Sequence, residues 1–333
     1  MEHNQVKRKA QGSSQRNKER RTQTKKGEEG KGRNDIPMTE NEFLLQDRLN
    51  VIRDTINKYG EENFYLSFSG GKDSTVVHHL LDMALPENKI PRVFINTGIE
   101  YNDIVSFVKE LAKEDGRFTI INPTQNIKQM LERVGYPFKS KEHSVMVNEW
   151  QLGHRNTKKM KSYLADTRSK YECPKILRYQ FTDDFNLKVS AKCCMELKKK
   201  PVKKWQKENN RPINITGMQR EEGGERTHID CIMIKNGKLV KFHPLAKVTG
   251  EWEDWYIRTN NIRLCKLYYE PYSFFRTGCK GCPFSLSLSQ QLEVMQKYMP
   301  NERKQTESIW KPVYDEYRRI GYRLSNEEQT KLF

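Results

Sequence analysis

The sequence predicts an α/β protein built on a doubly wound parallel sheet, with a C-terminal helical extension that contains cysteines. Short apolar runs alternate with segments of helical periodicity over residues 64–134, and this alternation is typical of βαβ units. The glycine pair Gly70-Gly71 separates the first strand of the series from its first helix. With 333 residues, the chain is long enough for one large domain or two smaller ones.

Residues 1–38 are predicted to form a disordered basic tail, because Gly, Ser, Gln, Lys, Arg and Glu dominate there and no apolar periodicity is visible. Residues 1–35 carry 11 Lys and Arg against 5 Asp and Glu, so +11 of the net charge of +17 belongs to the rest of the chain. A basic surface favours phosphate-rich partners such as nucleic acid. Solubility alone is the alternative explanation of this charge.

Neither a membrane span nor a signal peptide is predicted. No apolar run approaches the ~20 residues of a membrane-spanning helix, and the N-terminus lacks an apolar segment. We therefore expect a cytoplasmic protein. In that compartment the seven cysteines are expected to be ligands or reactive thiols rather than a disulfide framework.

The first half of the chain beyond the tail follows the βαβ pattern. Apolar residues from Leu45 to Tyr59 fall on one helical face, and Gly60 ends that helix. The elements predicted after it are strands at 64–69, 92–96 and 118–121, and helices at 74–85, 102–115 and 127–134.

The second half begins with residues 138–190, which are basic, mixed in character and predicted to be a partly helical insertion. A strand at 213–216 follows, and Asn236-Gly237 is typical of the turn of a two-residue hairpin. Tryptophans and tyrosines near residues 252–262 predict a buried helix. We assign residues 39–290 to one domain and residues 291–333 to C-terminal helices.

The run Ser69-Gly70-Gly71-Lys72-Asp73-Ser74 lies between a predicted strand and a predicted helix. Two glycines allow a sharp turn, so that backbone N–H groups converge on an anion at the helix N-terminus. Lys72 adds positive charge and the two serines add hydroxyl donors, while Asp73 is placed to cap the helix or to lie near a metal bound to phosphates. The run is not a Walker A loop, because Lys72 is followed by Asp73. It predicts a phosphate-binding site.

A second candidate wall of this site follows the strand at 92–96. Ligands of doubly wound sheets bind beyond the carboxyl ends of the strands, where Thr97, Gly98 and Glu100 are expected. These three residues are candidate nucleotide contacts, and an ordinary loop is the alternative.

The cysteines Cys193-Cys194 and Cys279-x-x-Cys282 form a second chemical group. Four thiolates suit a [4Fe-4S] cluster or a tetrahedral zinc ion. Adjacent cysteines are awkward for a single zinc ion, because both side chains must turn to the same point, whereas a cubane offers separate irons. Unligated thiols are the third possibility. Cys173 is a candidate persulfide carrier, with simple burial as its alternative.

The six-residue loop resembles the PP-loop of the ATP pyrophosphatases, a superfamily of adenine nucleotide α-hydrolase-like proteins. The runs Lys192–Lys198 and Thr277–Pro283 resemble the [4Fe-4S] motif of the phosphoadenosine phosphosulfate (PAPS) and adenylylsulfate reductase family. The similarity spans about residues 64–298 and includes Gly217, Glu221, Glu222 and Arg226. It implies a PP-loop fold of the type called HUP-like.

The resemblance also implies ligands and roles. ATP with Mg²⁺ is expected at the loop, and a [4Fe-4S] cluster on Cys193, Cys194, Cys279 and Cys282. Lys72, Asp73 and Arg226 are the expected catalytic residues. The expected nucleotide-binding residues are Ser69, Gly70, Gly71, Lys72, Asp73, Ser74, Thr97, Gly98, Glu100, Gly217 and Arg220.

Two departures from the family pattern bear on the reaction. The reductases attack their sulfonucleotide with a thiol near the C-terminus, and this sequence has no cysteine after Cys282. Gln219 stands where the family usually has Arg, and the adjacent Arg220 is a candidate substitute. The complete loop, by contrast, implies ATP, because reductases handle substrates without a β,γ-pyrophosphate.

The resemblance therefore predicts an iron–sulfur ATP pyrophosphatase that adenylates an acceptor for sulfur transfer. Nucleic acid is a candidate acceptor, and a cysteine desulfurase is a candidate sulfur donor. The alternatives are a PAPS or adenylylsulfate reductase, a sulfate adenylyltransferase-like subunit, and a non-catalytic nucleic-acid-binding protein of a mobile element.

Overall fold

The computed structural model describes residues 37–122, 125–166 and 171–325. Every helix and strand given below lies in the unit that begins at Thr39. The tail predicted for residues 1–38 falls outside the described residues, apart from its last two. No helix within the described ranges combines the length and the apolar character needed to cross a membrane.

A six-stranded sheet in the order β3-β2-β1-β4-β6-β5 organises the molecule. Its strands are β1 (Phe64–Ser67), β2 (Arg92–Ile95), β3 (Phe118–Ile121), β4 (Ile213–Ile215), β5 (Ile232–Lys235) and β6 (Lys238–Phe242). All neighbouring pairs are parallel except β5 with β6. The predicted α/β class with a mainly parallel sheet is confirmed.

The antiparallel edge arises from the predicted hairpin. Asn236 and Gly237 both adopt positive φ, 51° and 72°, as a two-residue turn that matches the strand twist requires. Because the other side of β6 pairs in parallel with β4, β5 lies at the outer edge of the sheet. The sheet is therefore parallel except at this one edge.

Ten α-helices surround the sheet in the described residues. They are α1 (Glu40–Tyr59), α2 (Lys72–Ala84), α3 (Asn102–Glu114), α4 (Ile127–Val134), α5 (Lys141–Gln151), α6 (Lys158–Leu164), α7 (Lys200–Glu208), α8 (Gly250–Thr259), α9 (Leu288–Tyr298) and α10 (Pro300–Arg319). Helix α1 packs on α2, and α2 packs on α8. The central strand β1 is buried through Phe64, Tyr65 and Leu66.

Two boundaries differ from the sequence prediction. Helix α2 begins at Lys72 rather than Ser74, because Gly71 serves as its N-cap and accepts hydrogen bonds from the Ser74 and Thr75 hydroxyls at 2.9 and 3.0 Å. Helix α9 begins at Leu288, so the boundary expected between residues 290 and 291 falls inside it. The buried Leu288 and Leu292 place its first turn in the core.

Residues 138–190 are helical in part, as predicted, through α5, α6 and a 3₁₀ segment over Lys175–Phe181. The two ends of this region meet, because Tyr136 N donates to Lys188 O at 2.8 Å and Ser190 N donates to Tyr136 O at 2.9 Å. The chain therefore enters and leaves this region at neighbouring positions.

Candidate functional site

The loop between β1 and α2 turns at Gly70, which has a φ of +71°. A Cβ at this position would lie 2.8 Å from Ile104 Cγ2. Both the left-handed backbone and this close approach require glycine. The turn brings the first N–H groups of α2 to the carboxyl edge of the sheet, where an anion would meet the positive end of the helix.

Hydroxyl groups stabilise the shape of this loop. Ser74 Oγ accepts from Ser69 N at 3.1 Å and lies 2.9 Å from Ser69 Oγ. Ser69 Oγ accepts from Gly71 N at 3.2 Å. Lys72 N donates to the Tyr268 hydroxyl at 2.9 Å. The two serines therefore hold the loop in position, and Tyr268 lies directly over it.

A cavity of about 700 Å³, partly open to solvent, lies over the loop. We call it the loop cavity. Three basic side chains line it: Lys72, Arg226 and Arg276. Its other lining residues include Ser69, Gly71, Asp73, Ser74, Gly217, Tyr268, Phe275 and Thr277. The predicted loop, Gly217 and Arg226 thus meet in one concave, basic space.

Lys72 is held by two carboxylates of α8. Its Nζ lies 2.9 Å from Glu253 Oε2 and 3.1 Å from Asp254 Oδ1. The Glu253 side chain is 1% exposed, whereas that of Asp254 is 54% exposed. Burial alone would lower the pKa of Lys72, but the pairing with Glu253 and Asp254 raises it. Lys72 is therefore a fixed cation at the floor of the cavity.

The carboxyl groups near Lys72 are unusually basic. Burial and the charge of Asp73 together raise the pKa of Glu253 to about 7, although Lys72 opposes both effects. Burial also raises the pKa of Asp73, against the charges of Lys72 and Arg276. Both shifts reflect the cost of ionising carboxyl groups out of contact with water.

This shift predicts a pH dependence. A bound polyphosphate next to Glu253 would raise the carboxyl pKa further, so nucleotide binding should take up a proton near neutral pH. We expect the affinity for MgATP to rise several-fold as the pH falls from 8 to 6, and by at most about tenfold per pH unit, because one proton is involved. The Glu253→Gln variant should lose this slope. Titrations at several pH values, with Asp254→Asn as the exposed control, check the prediction, and an unchanged slope in Glu253→Gln would contradict it.

Gly217 packs against the loop itself. A Cβ on Gly217 would lie 2.8 Å from both the carbonyl carbon and the carbonyl oxygen of Asp73. The chain just after β4 therefore packs directly against the start of α2, with no side chain between the two backbones. This contact explains why glycine follows β4, and Gly217 also lines the loop cavity.

The two arginines predicted near Gly217 have different positions. Arg226 lines the loop cavity and pairs with Glu222. Arg220 does not line it, because its Nε donates to Ile229 O at 2.6 Å and its guanidinium pairs with Asp230 at 2.5 Å. The structure thus does not bring Arg220 to the expected nucleotide site. Arg276, which sequence reasoning missed, lines the cavity and shares Glu222.

A second cavity of about 800 Å³ is lined by residues from the last part of β1, β2 and β4. We call it the strand-end cavity. It shares Ser67, Ser69 and Thr277 with the loop cavity. Its walls are largely apolar and include Phe94 and Ile104. An apolar cavity that joins a basic one has the chemistry of a site for a nucleoside and its phosphates.

Of the three nucleotide contacts predicted after β2, one lines this second cavity. Glu100 lines it and is 6% exposed. Its carboxylate accepts from Thr97 N at 2.7 Å and lies 3.2 Å from Lys198 Nζ. Thr97 and Gly98 are not among the lining residues. Glu100 thus reaches the cavity, and Thr97 holds it in place.

The four predicted ligand cysteines lie close together. The sulfurs of Cys193 and Cys194 are 4.0 Å apart, and the hydrogen bond from Cys193 lowers the pKa of Cys194 to about 6. Burial and the charges of Cys279 and Cys194 together raise the pKa of Cys282 to about 12. Cys279 in turn raises the pKa of Lys198. One lysine therefore faces a group of four thiols.

A zinc ion and an iron–sulfur cluster require different arrangements of these four thiols. Among residues 37–122, 125–166 and 171–325, no group of three or more His, Cys, Asp or Glu side chains is arranged to hold a metal ion. A single zinc ion needs its ligands to converge on one point. A cubane binds each thiolate to a different iron. Thiolates are ligands of both groups.

Helix α10 fixes the Cys279–Cys282 loop. Trp310 Nε1 donates to Lys280 O at 3.0 Å, the Tyr314 hydroxyl donates to Gly281 O, and the Tyr317 hydroxyl donates to Pro283 O at 3.0 Å. All three aromatic side chains are buried. The C-terminal helix therefore satisfies the carbonyl groups of this loop and sets its conformation.

The family model described as the phosphoadenosine phosphosulfate reductase domain matches residues 63–173 and 153–321. These segments contain the loop, the two cavities and all four cysteines. The chain belongs to the PAPS reductase family.

Relatives of this PAPS reductase family member are distant. An uncharacterized protein of Methanocaldococcus jannaschii is 24% identical over 280 residues, which are 83% of this chain and 55% of the relative. The chain thus spans about half the length of that curated relative.

Solved structures with similar folds are more distant still. The phosphoadenylyl-sulfate reductase of Candida auris has 14% identity and a TM-score of 0.40, over 70% of this chain and 92% of its own. The NH3-dependent NAD synthetase of Campylobacter jejuni has 12% identity and a TM-score of 0.38, over 82% of this chain and 94% of its own. At these values the resemblance does not extend to activity.

A further cysteine of this PAPS reductase family chain, Cys173, is unsuited to carry a persulfide. Cys173 is 1% exposed, and burial raises its pKa to about 11. A persulfide carrier needs an accessible thiolate. The structure therefore favours the alternative reading of Cys173 as a small buried side chain.

Proposed function

We propose that this chain is an iron–sulfur ATP pyrophosphatase that adenylates an acceptor for sulfur transfer. One observation carries the proposal: the complete glycine loop opens into a cavity lined by Lys72, Arg226 and Arg276. Three cations around a helix N-terminus suit the several negative charges of a triphosphate. A sulfonucleotide has no β,γ-pyrophosphate to occupy such a site.

In the proposed reaction an acceptor oxygen attacks the α-phosphorus of ATP. The bond between the α-phosphorus and its bridging oxygen to the β-phosphorus breaks, and pyrophosphate leaves with the electron pair. Lys72, Arg226 and the loop N–H groups stabilise the charge that develops on the leaving group. Asp73 lies beside Lys72 at the same cavity, where Mg²⁺ would accompany the phosphates. The adenosine would occupy the strand-end cavity.

Sulfur transfer would follow adenylation. A cysteine desulfurase would supply the sulfur as a persulfide, and a thiol reductant would provide the two electrons that release it at the sulfide level. The sulfide-level sulfur would then displace AMP from the adenylated acceptor. Nucleic acid is the acceptor that we propose, because the chain outside its first 35 residues carries a net charge of +11.

Cys193, Cys194, Cys279 and Cys282 would hold a [4Fe-4S] cluster, which supplies a redox-active iron centre when bound. Lys198 links this group to the nucleotide site, because its Nζ lies 3.2 Å from Glu100, which lines the strand-end cavity. The lysine would offset part of the negative charge of four thiolates.

Anaerobic purification tests the cluster. We expect about four iron and four sulfide ions per chain, as a four-cysteine cubane contains. Cys279→Ser should lose most of the iron and the visible absorption, whereas Cys231→Ser, outside the proposed ligand set, should keep both. Zinc without iron would contradict the proposal.

A sulfonucleotide reductase is the second candidate, and membership of the PAPS reductase family favours it. Two measurements on the same anaerobic protein separate the candidates. The proposal predicts that ATP binds more tightly than PAPS and that no sulfite is released from PAPS in the presence of thioredoxin. Sulfite release, together with tighter binding of PAPS, would establish the reductase instead.

A further inference from the structure

A third cavity, of about 510 Å³, adjoins the loop cavity. We call it the rim cavity. Residues 272–276 form one wall, and helix α9 with the residue before it forms the other through Ser287, Gln290 and Gln291. The rim cavity shares Phe275 and Arg276 with the loop cavity. These two side chains therefore stand between the proposed phosphate site and a separate space.

The rim cavity combines aromatic, amide and basic groups. Phe275 is 83% exposed, an unusual state for a side chain of this size. Tyr272, also in the lining, stacks edge-on with Tyr298 at 5.8 Å between ring centroids. Lys266 Nζ lies 5.8 Å from the Tyr272 ring centroid. Exposed aromatic rings beside cations are the features with which proteins bind single-stranded nucleic acid.

The three cavities adjoin one another in a series through shared lining residues. The strand-end cavity joins the loop cavity at Ser69 and Thr277, and the loop cavity joins the rim cavity at Phe275 and Arg276. With adenosine in the first and phosphates in the second, the third is the adjoining space in which an acceptor can bind.

We propose that the rim cavity binds a nucleobase of a single-stranded nucleic acid acceptor. Phe275 stacks on the base, the Gln290 amide hydrogen-bonds to its edge, and Arg276 contacts the adjoining backbone phosphate. The exposed Phe275 ring, beside amide and basic side chains, argues against a purely apolar protein segment as the occupant. The inference rests on the proposed function, since it assigns the acceptor of that reaction.

Binding of fluorescent oligonucleotides tests the inference without turnover. The probes are a 20-nucleotide single-stranded DNA, the RNA of the same sequence and a DNA of equal length without bases. We expect a base-containing strand to bind the full chain at least about tenfold more tightly than the abasic strand, which is the size of one stacking contact. Phe275→Ala should remove most of that difference, and Phe275→Trp should restore it.

Two further variants make the test specific. Gln290→Ala, which changes the rim cavity alone, should weaken binding of the base-containing strands but not of the abasic strand. Leu286→Ala removes another exposed apolar side chain, 92% exposed and outside the cavity lining, and should change nothing. Equal affinity for base-containing and abasic strands, or unchanged selectivity in Phe275→Ala, would overturn the inference.

Failure of this inference is distinguishable from failure of the proposed function. ATP binding is measured in the same wild-type protein with a nucleotide titration. If ATP binds with its Lys72 dependence but the bases of the strand contribute nothing, only the acceptor assignment is wrong. If base-dependent binding is found without any ATP binding, the adenylating function is wrong and a nucleic-acid-binding role remains.

Discussion

Replacing Lys72 by methionine should lower the rate of AMP formation from ATP by at least about hundredfold, the usual effect of removing one group that stabilises developing charge. Lys72 lies in the first turn of α2 and lines the loop cavity. Two carboxylates fix its Nζ, so the charge is in place before the substrate arrives. Methionine keeps the length and apolar stem of the side chain and removes the charge.

The matched control for this variant is Asp254→Asn. Asp254 contacts the same Nζ at 3.1 Å but is 54% exposed, and solvent screens such a contact. We expect this variant to retain most of the activity. The melting temperatures of both variants should be measured, since Lys72→Met leaves the buried Glu253 without its cation. A folded Lys72→Met protein with wild-type AMP formation would contradict the proposed role.

Replacing Gly281 by alanine should destabilise the protein by about 3 kcal/mol or more. Gly281 has a φ of +61° and lies between the two cysteines of the Cys279–Cys282 loop. A Cβ there would overlap both Thr306 Cγ2 and the Tyr314 hydroxyl of helix α10. Backbone strain and steric overlap therefore act together. Chemical denaturation measures the loss, and iron content should fall with it.

Gly321 provides a matched control, because its φ of +62° is nearly the same but a Cβ would have nothing within 4 Å. Gly321→Ala should lose only about 1 kcal/mol, the backbone contribution alone. Similar losses in the two variants would show that packing of α10 against the cysteine loop has little effect on stability. A much larger loss at Gly281 supports the close fit.

Much of the fold follows from local sequence patterns. The βαβ alternation, the Asn236-Gly237 turn and the glycine loop are each encoded within a few neighbouring residues, and each is found where it is expected. Helix α2 begins two residues early because hydroxyl contacts to the Gly71 carbonyl extend it. Such side-chain contacts are invisible to periodicity, which registers only apolar spacing.

The site is harder to predict from the sequence, because its residues come from segments that are far apart in the chain. Arg276 and Glu253 belong to no motif of the loop, and only the fold brings them to Lys72. The one local signal for Arg276 was its place directly before the Thr277–Pro283 run. Arg220 illustrates the opposite difficulty. Its place beside Gln219 predicts a nucleotide contact, but its side chain pairs with Asp230 instead.

The products of ATP labelled at the α-phosphate test the central claim most directly. Anaerobically purified protein is incubated with this ATP, Mg²⁺ and single-stranded nucleic acid, with Lys72→Met in parallel. We predict that the label appears in AMP or in an adenylated acceptor, with one pyrophosphate released for each, and that Lys72→Met abolishes both. Label in ADP, or ATP left intact with every acceptor supplied, would contradict an ATP pyrophosphatase.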